Sequence, residues 1–161
     1  MVYIGIIGPG LVGSALISQL KTHSDSNSTH AFSVVAIINS KKLSLSDPSI
    51  SNSTISLSNW KDQLETSPHR ASLDQFIQHL IRYKNSVIVD CTSSDSIAHL
   101  YPNWLKQGLH IVTPNKKAFS GSEELWKNIK SLTEKKREKK SPLIYHEATV
   151  GYCTLINNCY H

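Results

Sequence analysis

The residues of this sequence best suited to chemistry are three glycines near its start, spaced as Gly8, Gly10 and Gly13. An apolar run at residues 2–7 precedes them and an amphipathic segment follows, so they lie in a predicted strand–turn–helix. There the first glycine permits a tight turn, the second lets the backbone approach a pyrophosphate, and the third lets the helix pack on the strand. The N–H groups at the helix start attract phosphate. The pattern predicts a dinucleotide loop rather than a merely glycine-rich turn, formed by Gly8, Gly10, Leu11, Val12 and Gly13.

A basic polar segment follows the second predicted strand, residues 32–38. NAD-specific proteins usually carry an acidic residue there, about 20 residues beyond the glycine loop, to bind the ribose hydroxyls. This chain has Asn39, Ser40, Lys41 and Lys42 instead. Ser40 with either lysine can bind a 2′-phosphate, which favours NADP over NAD. A solvated basic turn is the alternative, and a protein that uses both cofactors would look the same.

Polar residues also follow the later predicted strands. Thr92 and Ser93 come after the strand at residues 87–91, where their hydroxyls suit a ribose or a nicotinamide amide but equally suit a helix cap. Lys116 and Lys117 follow the strand at residues 109–112, and one of them is expected to face the cleft. Glu147 follows the strand at residues 143–146 and is either a site residue or an ordinary exposed carboxylate.

The elements that must position these residues are strands that alternate with helices, which predicts βαβ units. The fold class is α/β, with a Rossmann-type, doubly wound, mainly parallel sheet of five or six strands. Ser72 and Gln75 form a capping box before one helix, a second helix runs from Ser94 or Asp95 to about Gln107, and a charged one starts near Ser122. Residues 21–31 are predicted to be a polar connector, and residues 40–58 a long surface loop.

The net charge of +5 is local. Residues 127–140 hold seven basic and two acidic side chains, which accounts for all of it. No aromatic stacking platform accompanies them, so a solvated helix end is favoured over a nucleic-acid surface.

No apolar stretch is long enough to span a membrane. Three cysteines without a CxxC pair indicate neither a disulfide framework nor a zinc site. Met1 leads directly into a core strand without a signal peptide, so a cytoplasmic protein is expected.

Four segments together resemble a known family: GPGLVG at 8–13, VDCTSS at 89–94, TPNKKAFS at 113–120 and YHEATVG at 145–151. In this order they resemble the N-terminal NAD(P)-binding half of homoserine dehydrogenase of the fungal type, and the likeness covers residues 2–151. The resemblance implies reversible, NAD(P)-dependent interconversion of L-aspartate 4-semialdehyde and L-homoserine, in threonine and methionine biosynthesis. Another reductase with the same fold is a more distant alternative.

The resemblance also implies a role for individual residues. It places the pyrophosphate on Gly8 to Gly13, the nicotinamide ribose near Thr92 and Ser93, and Lys116 next to cofactor and substrate, with Lys117 exposed. Glu147 and the carbonyl of Val150 correspond to ligands of a monovalent cation, typically sodium. Relatives of this kind are expected to be homodimers.

The resemblance ends after Gly151. Cys153 stands where the family has a second glycine, and Leu155 stands where it has a proline. We therefore expect a dinucleotide-binding domain over residues 1–151 and an aberrant tail over residues 152–161. The family's substrate-binding and dimerisation region, with its main proton-transfer residues, has no counterpart. The alternative function is a catalytically inactive dinucleotide-binding fragment or pseudoenzyme.

Overall fold

A six-stranded sheet forms the centre of the computed structural model, which describes residues 1–26, 32–47, 49–50, 53–134 and 141–146. The strands are β1 (Val2–Ile7), β2 (Phe32–Ile38), β3 (Leu43–Leu45), β4 (Ser86–Asp90), β5 (His110–Val112) and β6 (Ile144–Tyr145). The helices are α1 (Leu11–Ser26), α2 (Trp60–Glu65), α3 (Leu73–Leu80), α4 (Asp95–Ala98), α5 (Tyr101–Lys106), α6 (Lys117–Ser120) and α7 (Glu123–Thr133).

The strand order is β3-β2-β1-β4-β5-β6, and every neighbouring pair is parallel except β2 with β3. This order confirms the Rossmann-type, mainly parallel sheet. The chain builds outward from β1 in one direction and then returns to continue from β4 in the other. The carboxyl ends of β1 and β4 therefore form the topological switch point, which is where open α/β sheets bind their ligands.

Helices cover both faces of the sheet, as the doubly wound fold requires. On one face Ile17 of α1 and Trp60 and Leu64 of α2 pack against apolar residues of β1 and β2. On the other face α3, α5 and α7 bury a larger cluster that includes Phe76 and Ile129, both fully buried. The buried apolar strands thus hold the carboxyl edge rigidly between two helical layers.

Three helices begin at the serines that the sequence indicates. The hydroxyl oxygens of Ser72, Ser94 and Ser122 each accept a hydrogen bond from a backbone N–H three residues further on, at 3.3–3.4 Å. The donors are Gln75, Ile97 and Leu125. These hydrogen bonds are the side-chain caps that serine provides for unpaired N–H groups in a first helical turn. Among the described residues, no helix combines the length and apolarity needed to cross a membrane.

Several predicted boundaries were wrong. The segment 40–58 is not all loop, because it contributes β3 and the buried Ile55. The connector predicted at 21–31 is helical as far as Ser26. The helix predicted from Ser94 to Gln107 is two helices, since Pro102 has no N–H to continue the ladder of α4. The short helices α2 and α6 were not predicted.

Candidate functional site

The glycine loop makes a sharp turn between β1 and α1. Gly8 has φ 76°, a conformation that residues with a side chain rarely adopt. Its N–H donates to the Ile38 carbonyl at 2.9 Å, and its own carbonyl accepts from the Gly10 N–H at 2.8 Å. The turn is therefore fastened to the end of β2 while it redirects the chain into α1.

Space around the other two glycines differs sharply. A Cβ atom at Gly13 would lie 2.6 Å from the Gly8 carbonyl oxygen, so only glycine lets α1 approach the loop this closely. A Cβ atom at Gly10 would meet nothing within 4 Å. The open space at Gly10 lies beside the first turn of α1, where the N–H groups of Leu11 and Val12 have no carbonyl within the helix to bind. This arrangement fits a pyrophosphate.

A cavity of about 460 Å³ opens beside this loop at the switch point. Its volume is in the range of small-molecule sites, and its wall is mostly apolar with a few hydroxyls. It is lined by Ile7, Gly8, Ile38, Asn39, Ser40, Ala71, Leu73, Thr92, Ser94, Ser96 and Ile97. The ends of β1, β2 and β4 thus contribute to one cavity, as expected for a nucleoside site next to a phosphate loop.

The basic turn after β2 is ordered by Asn39, whose Oδ1 accepts from the N–H groups of Lys41 and Lys42 at 2.8 and 2.7 Å. The two lysines are not equivalent. Lys42 Nζ donates to the Ser67 carbonyl at 2.7 Å, whereas Lys41 is exposed beside Ser40, which lines the cavity. Of the two candidate lysines, Lys41 is therefore the one available for a ligand. Arg70, which pairs with Lys42 in an antiparallel bridge, adds a second exposed cation to this edge.

The three hydroxyl-bearing residues in the turn after β4, Thr92 to Ser94, have different surroundings. The hydroxyl of Ser94, and not that of Thr92 or Ser93, caps the start of α4. Thr92 lines the cavity, and a Cβ atom on Gly8 would lie only 2.5 Å from the methyl carbon of Thr92. Ser93 is exposed. Thr92 and Gly8 thus meet in one site, whereas Ser93 is not part of the cavity wall.

A buried polar network joins this turn to the end of β5. Asp90, fully buried, accepts from the Thr92 N–H at 2.8 Å through Oδ1, and from the Tyr101 hydroxyl at 2.5 Å and Asn115 Nδ2 at 3.1 Å through Oδ2. The Thr113 hydroxyl donates to the Asp90 carbonyl at 2.9 Å. Lys116 follows directly and is exposed at the start of α6. Lys116 is thus adjacent in the chain to Asn115, a member of the buried network.

Burial controls the titration of two groups near the site. It raises the pKa of Tyr101 far above its usual value, an effect that the charge of Asp90 reinforces, so the phenol stays a hydrogen-bond donor. Burial also raises the pKa of the Cys91 thiol to about 11, with Asp90 again adding to the effect. Cys91 is therefore a half-buried, unreactive thiol beside Gly13 and not a nucleophile.

The structure brings some predicted site residues together and leaves others apart. Gly8, Ser40 and Thr92 share the cavity wall, while Lys116 is not part of that wall. Glu147 and Val150, predicted to bind a monovalent cation, lie outside the described residues. Within the described ranges, no group of three His, Cys, Asp or Glu side chains is placed to hold a metal ion.

Sequence reasoning missed Arg70, Tyr101 and Asn115 as site-supporting residues, and it gave Asp90 no role. Asp90 is the last residue of the buried strand β4, and a carboxylate at the end of an apolar strand is a signal for a buried acceptor. Its partners are 11 and 25 residues away in the chain, however. No local pattern connects them, so only the fold reveals the network.

A family model described as "Homoserine dehydrogenase, NAD binding domain" matches residues 8–141 of the chain. A bifunctional aspartokinase/homoserine dehydrogenase of Zea mays is 38% identical over 154 residues, which is 92% of this chain and 16% of the maize protein. A homoserine dehydrogenase of Paracoccidioides brasiliensis is 36% identical over 158 residues, 93% of this chain and 40% of the fungal protein. The chain thus spans well under half the length of these relatives.

The fold has a counterpart in a solved structure. The crystal structure of homoserine dehydrogenase from Thermoplasma acidophilum superposes with a TM-score of 0.66 at 18% identity, over 99% of this chain and 48% of the archaeal chain. At this identity the likeness supports the architecture alone. It agrees with the strand order described above.

Proposed function

The chain belongs to the homoserine dehydrogenase family, and from this premise we propose that it binds NADPH as the cofactor side of a homoserine dehydrogenase. The reaction is the interconversion of L-aspartate 4-semialdehyde and L-homoserine. One observation carries the proposal: the glycine loop at the switch point, with a tight turn at Gly8, open space at Gly10 and close helix packing at Gly13. Its geometry suits the close approach of a dinucleotide pyrophosphate to the backbone.

The pyrophosphate lies over Gly10 and the first turn of α1 in this proposal. The N–H groups of Leu11, Val12 and Gly13 supply its hydrogen bonds, and the helix dipole adds to the attraction. The adenosine half occupies the cavity between Ile38, Leu73 and Ile97. The nicotinamide half extends past Thr92 and Ser93 towards the ends of β4 and β5.

The preference for NADP over NAD rests on charge at the end of β2. Among the described residues that line the cavity there is no carboxylate to bind ribose hydroxyls or repel a 2′-phosphate. Ser40 offers a hydroxyl, and Lys41 offers an uncommitted ammonium group beside it. Arg70 supplies a second cation on the adjoining segment, and an arginine can bind two phosphate oxygens at once.

Lys116 is proposed to contact the nicotinamide half of the cofactor and to act on the reacting oxygen. The reduced nicotinamide, when bound, supplies the hydride that adds to the aldehyde carbon. The ammonium group of Lys116 binds the carbonyl oxygen and stabilises the negative charge that develops there. The resulting alkoxide takes up a proton from solvent, which completes the hydroxyl group of homoserine. The cation site at Glu147 and the Val150 carbonyl, and the domain limit at residue 151, remain predictions of the same proposal. So do a cytoplasmic location, the absence of nucleic-acid and membrane partners, and a homodimeric full-length protein.

A second candidate is a dinucleotide-binding fragment without turnover. It is favoured by one observation: the glycine loop and the cavity account for cofactor binding, whereas Lys116, the described residue assigned to the substrate, is not part of the cavity wall. Hydride transfer requires that cofactor and substrate be held in one geometry. Both candidates include NADPH binding, and they differ in catalysis alone.

Titration of the chain with NADPH and NADH, followed by nucleotide fluorescence, tests the shared part. We expect NADPH to bind more tightly, and Lys41→Ala or Arg70→Ala to weaken NADPH without changing NADH. Lys106→Ala, at an exposed lysine on α5, is the matched control and should change neither. Absence of binding for both nucleotides contradicts the proposal, and tighter NADH binding contradicts the NADP preference.

Oxidation of NADPH in the presence of aspartate semialdehyde separates the two candidates. Turnover that falls in Lys116→Ala but not in Lys117→Ala supports the enzyme. Lys117 is a suitable control because it is also exposed and directly adjacent. Binding without turnover supports the inactive fragment.

A further inference from the structure

We propose that Asp90, Tyr101 and Asn115 are positioning residues for Lys116, and that they set its approach to the nicotinamide half of the cofactor. The inference rests on the proposed function for the role of Lys116. It deepens that proposal because it assigns to a buried network, at the ends of β4 and β5, the task of placing an exposed cation.

Asp90 is the centre of the network because its carboxylate binds donors from three different segments. They are the N–H of Thr92 in the turn after β4, the hydroxyl of Tyr101 on α5, and the amide of Asn115 after β5. All of these except Thr92 are at least 98% buried. Three hydrogen bonds offset the desolvation of one buried carboxylate, and an acceptor-only group suits three converging donors.

Asn115 transmits this position to Lys116. Its Nδ2 group donates to Asp90 and also to the Ser94 carbonyl at 2.9 Å, which joins the turn after β5 to the cavity wall. Its Oδ1 accepts from the Lys117 N–H at 3.1 Å, in the first turn of α6. Lys116 lies between the two anchored residues. Its backbone is therefore fixed from both sides although its side chain is exposed.

Thr113 completes the link on the β5 side. Its hydroxyl donates to the Asp90 carbonyl, lies 2.9 Å from the Tyr101 hydroxyl, and accepts from the Asn115 N–H at 2.9 Å. Among the described residues no buried side-chain polar atom lacks a partner. In this proposal the network serves to select one backbone arrangement rather than to add stability, which suits a lysine whose position must be fixed.

A double-mutant cycle on the full chain tests the inference, with the Kd for NADPH as the measurement. Tyr101→Phe removes the hydroxyl and keeps the ring, and we expect it to raise Kd about tenfold. Lys116→Ala should raise Kd by a similar factor. If Tyr101 acts through Lys116, the double variant binds like Lys116→Ala alone, whereas independent effects multiply.

Tyr83→Phe is the matched control. The Tyr83 hydroxyl also joins a buried cluster, with Ser46 at 3.1 Å and His79 at 3.4 Å, but that cluster lies apart from the network of Asp90. We expect Tyr83→Phe to leave Kd within about twofold and its effect to multiply with Lys116→Ala. Equal losses in the two tyrosine variants would show a general structural effect and overturn the inference.

Amide hydrogen exchange on the cofactor-free chain gives an independent measurement. Tyr101→Phe should accelerate exchange at the N–H groups of Thr92 and Lys117, which donate to Asp90 and Asn115. The N–H of Cys91 donates to the Ile7 carbonyl, and its exchange should not change. Unchanged exchange at Thr92 and Lys117 overturns the inference. So do multiplicative effects in the cycle, or a Kd unaffected by Lys116→Ala. Failure of the unmodified chain to bind NADPH instead contradicts the proposed function, and the exchange result still reports on the network.

Discussion

Replacing Gly10 with alanine should separate cofactor binding from folding. In the cofactor-free chain the new Cβ would meet nothing within 4 Å, and Gly10 is not one of the glycines with positive φ. An alanine can therefore adopt the same backbone conformation. We expect the free energy of unfolding to stay within about 0.5 kcal/mol of the unmodified chain.

The same methyl group stands where the proposed pyrophosphate must approach the backbone. Forcing an extra methyl group into a close contact costs about 1–3 kcal/mol. At about 1.4 kcal/mol for each tenfold change, Kd for NADPH should rise by roughly 5- to 150-fold. Fluorescence titration measures Kd, and urea unfolding of the same preparation measures stability.

Gly13→Ala is the matched variant with the opposite geometry. Its Cβ would lie 2.6 Å from the backbone oxygen of Gly8, which no side-chain rotation can relieve. The strain of about 1–3 kcal/mol is offset in part by the better helix propensity of alanine, about 1 kcal/mol. We expect a net loss of stability as well as weaker binding. Unchanged NADPH binding in Gly10→Ala, or equal destabilisation in both variants, would refute the assignment of Gly10 to the phosphate.

Three further outcomes follow from side chains that the fold buries wholly or in part. Burial, with the positive charge of Arg82, lowers the pKa of His79 below 6.5. The native chain therefore binds fewer protons than the unfolded chain just below pH 6.5, and its free energy of unfolding should fall as the pH drops below about 6.5. Urea unfolding at several pH values should show a weaker pH dependence in His79→Gln. With a pKa of about 11, Cys91 should react with iodoacetamide at pH 8 about 100-fold more slowly in the native chain than in urea, as measured by peptide mass spectrometry. Phe76→Ala should cost about 3–5 kcal/mol in urea unfolding because Phe76 is fully buried, whereas Ile81→Ala, at a side chain 42% exposed, should cost much less.

The parts of the fold with a strong periodic pattern were predictable. The apolar runs became β1 and β2, and Ser72 marked the start of α3 as its capping box predicted. The missed elements β3, α2 and α6 share a physical cause, because each has only three to six residues. Tertiary pairing with β2 creates β3, and a three-residue strand carries too little sequence signal to compete with turn chemistry.

The candidate site divides in the same way. The glycine loop is local, so its strand–turn–helix setting was visible in the sequence, and the turn at Gly8 has the expected backbone. The choice between Lys41 and Lys42 was not visible, since Ser67, which binds Lys42, lies 25 residues further along. Partners this distant in the chain are brought together only when the sheet forms.

The glycine loop and the network of Asp90, both at the carboxyl edge of the sheet, therefore depend on different physical effects. At Gly10 the site depends on an absent side chain, so substitutions there should impair binding and spare stability. At Asp90 it depends on buried hydrogen bonds from Tyr101 and Asn115, and loss of a partner leaves a buried polar group unpaired, which typically costs about 1–3 kcal/mol. Substitutions in the network should consequently reduce stability and binding together. The positioning role of the network therefore has to be tested by the double-mutant cycle with Lys116. For the glycine loop, a Kd and a free energy of unfolding measured on the same variant are sufficient.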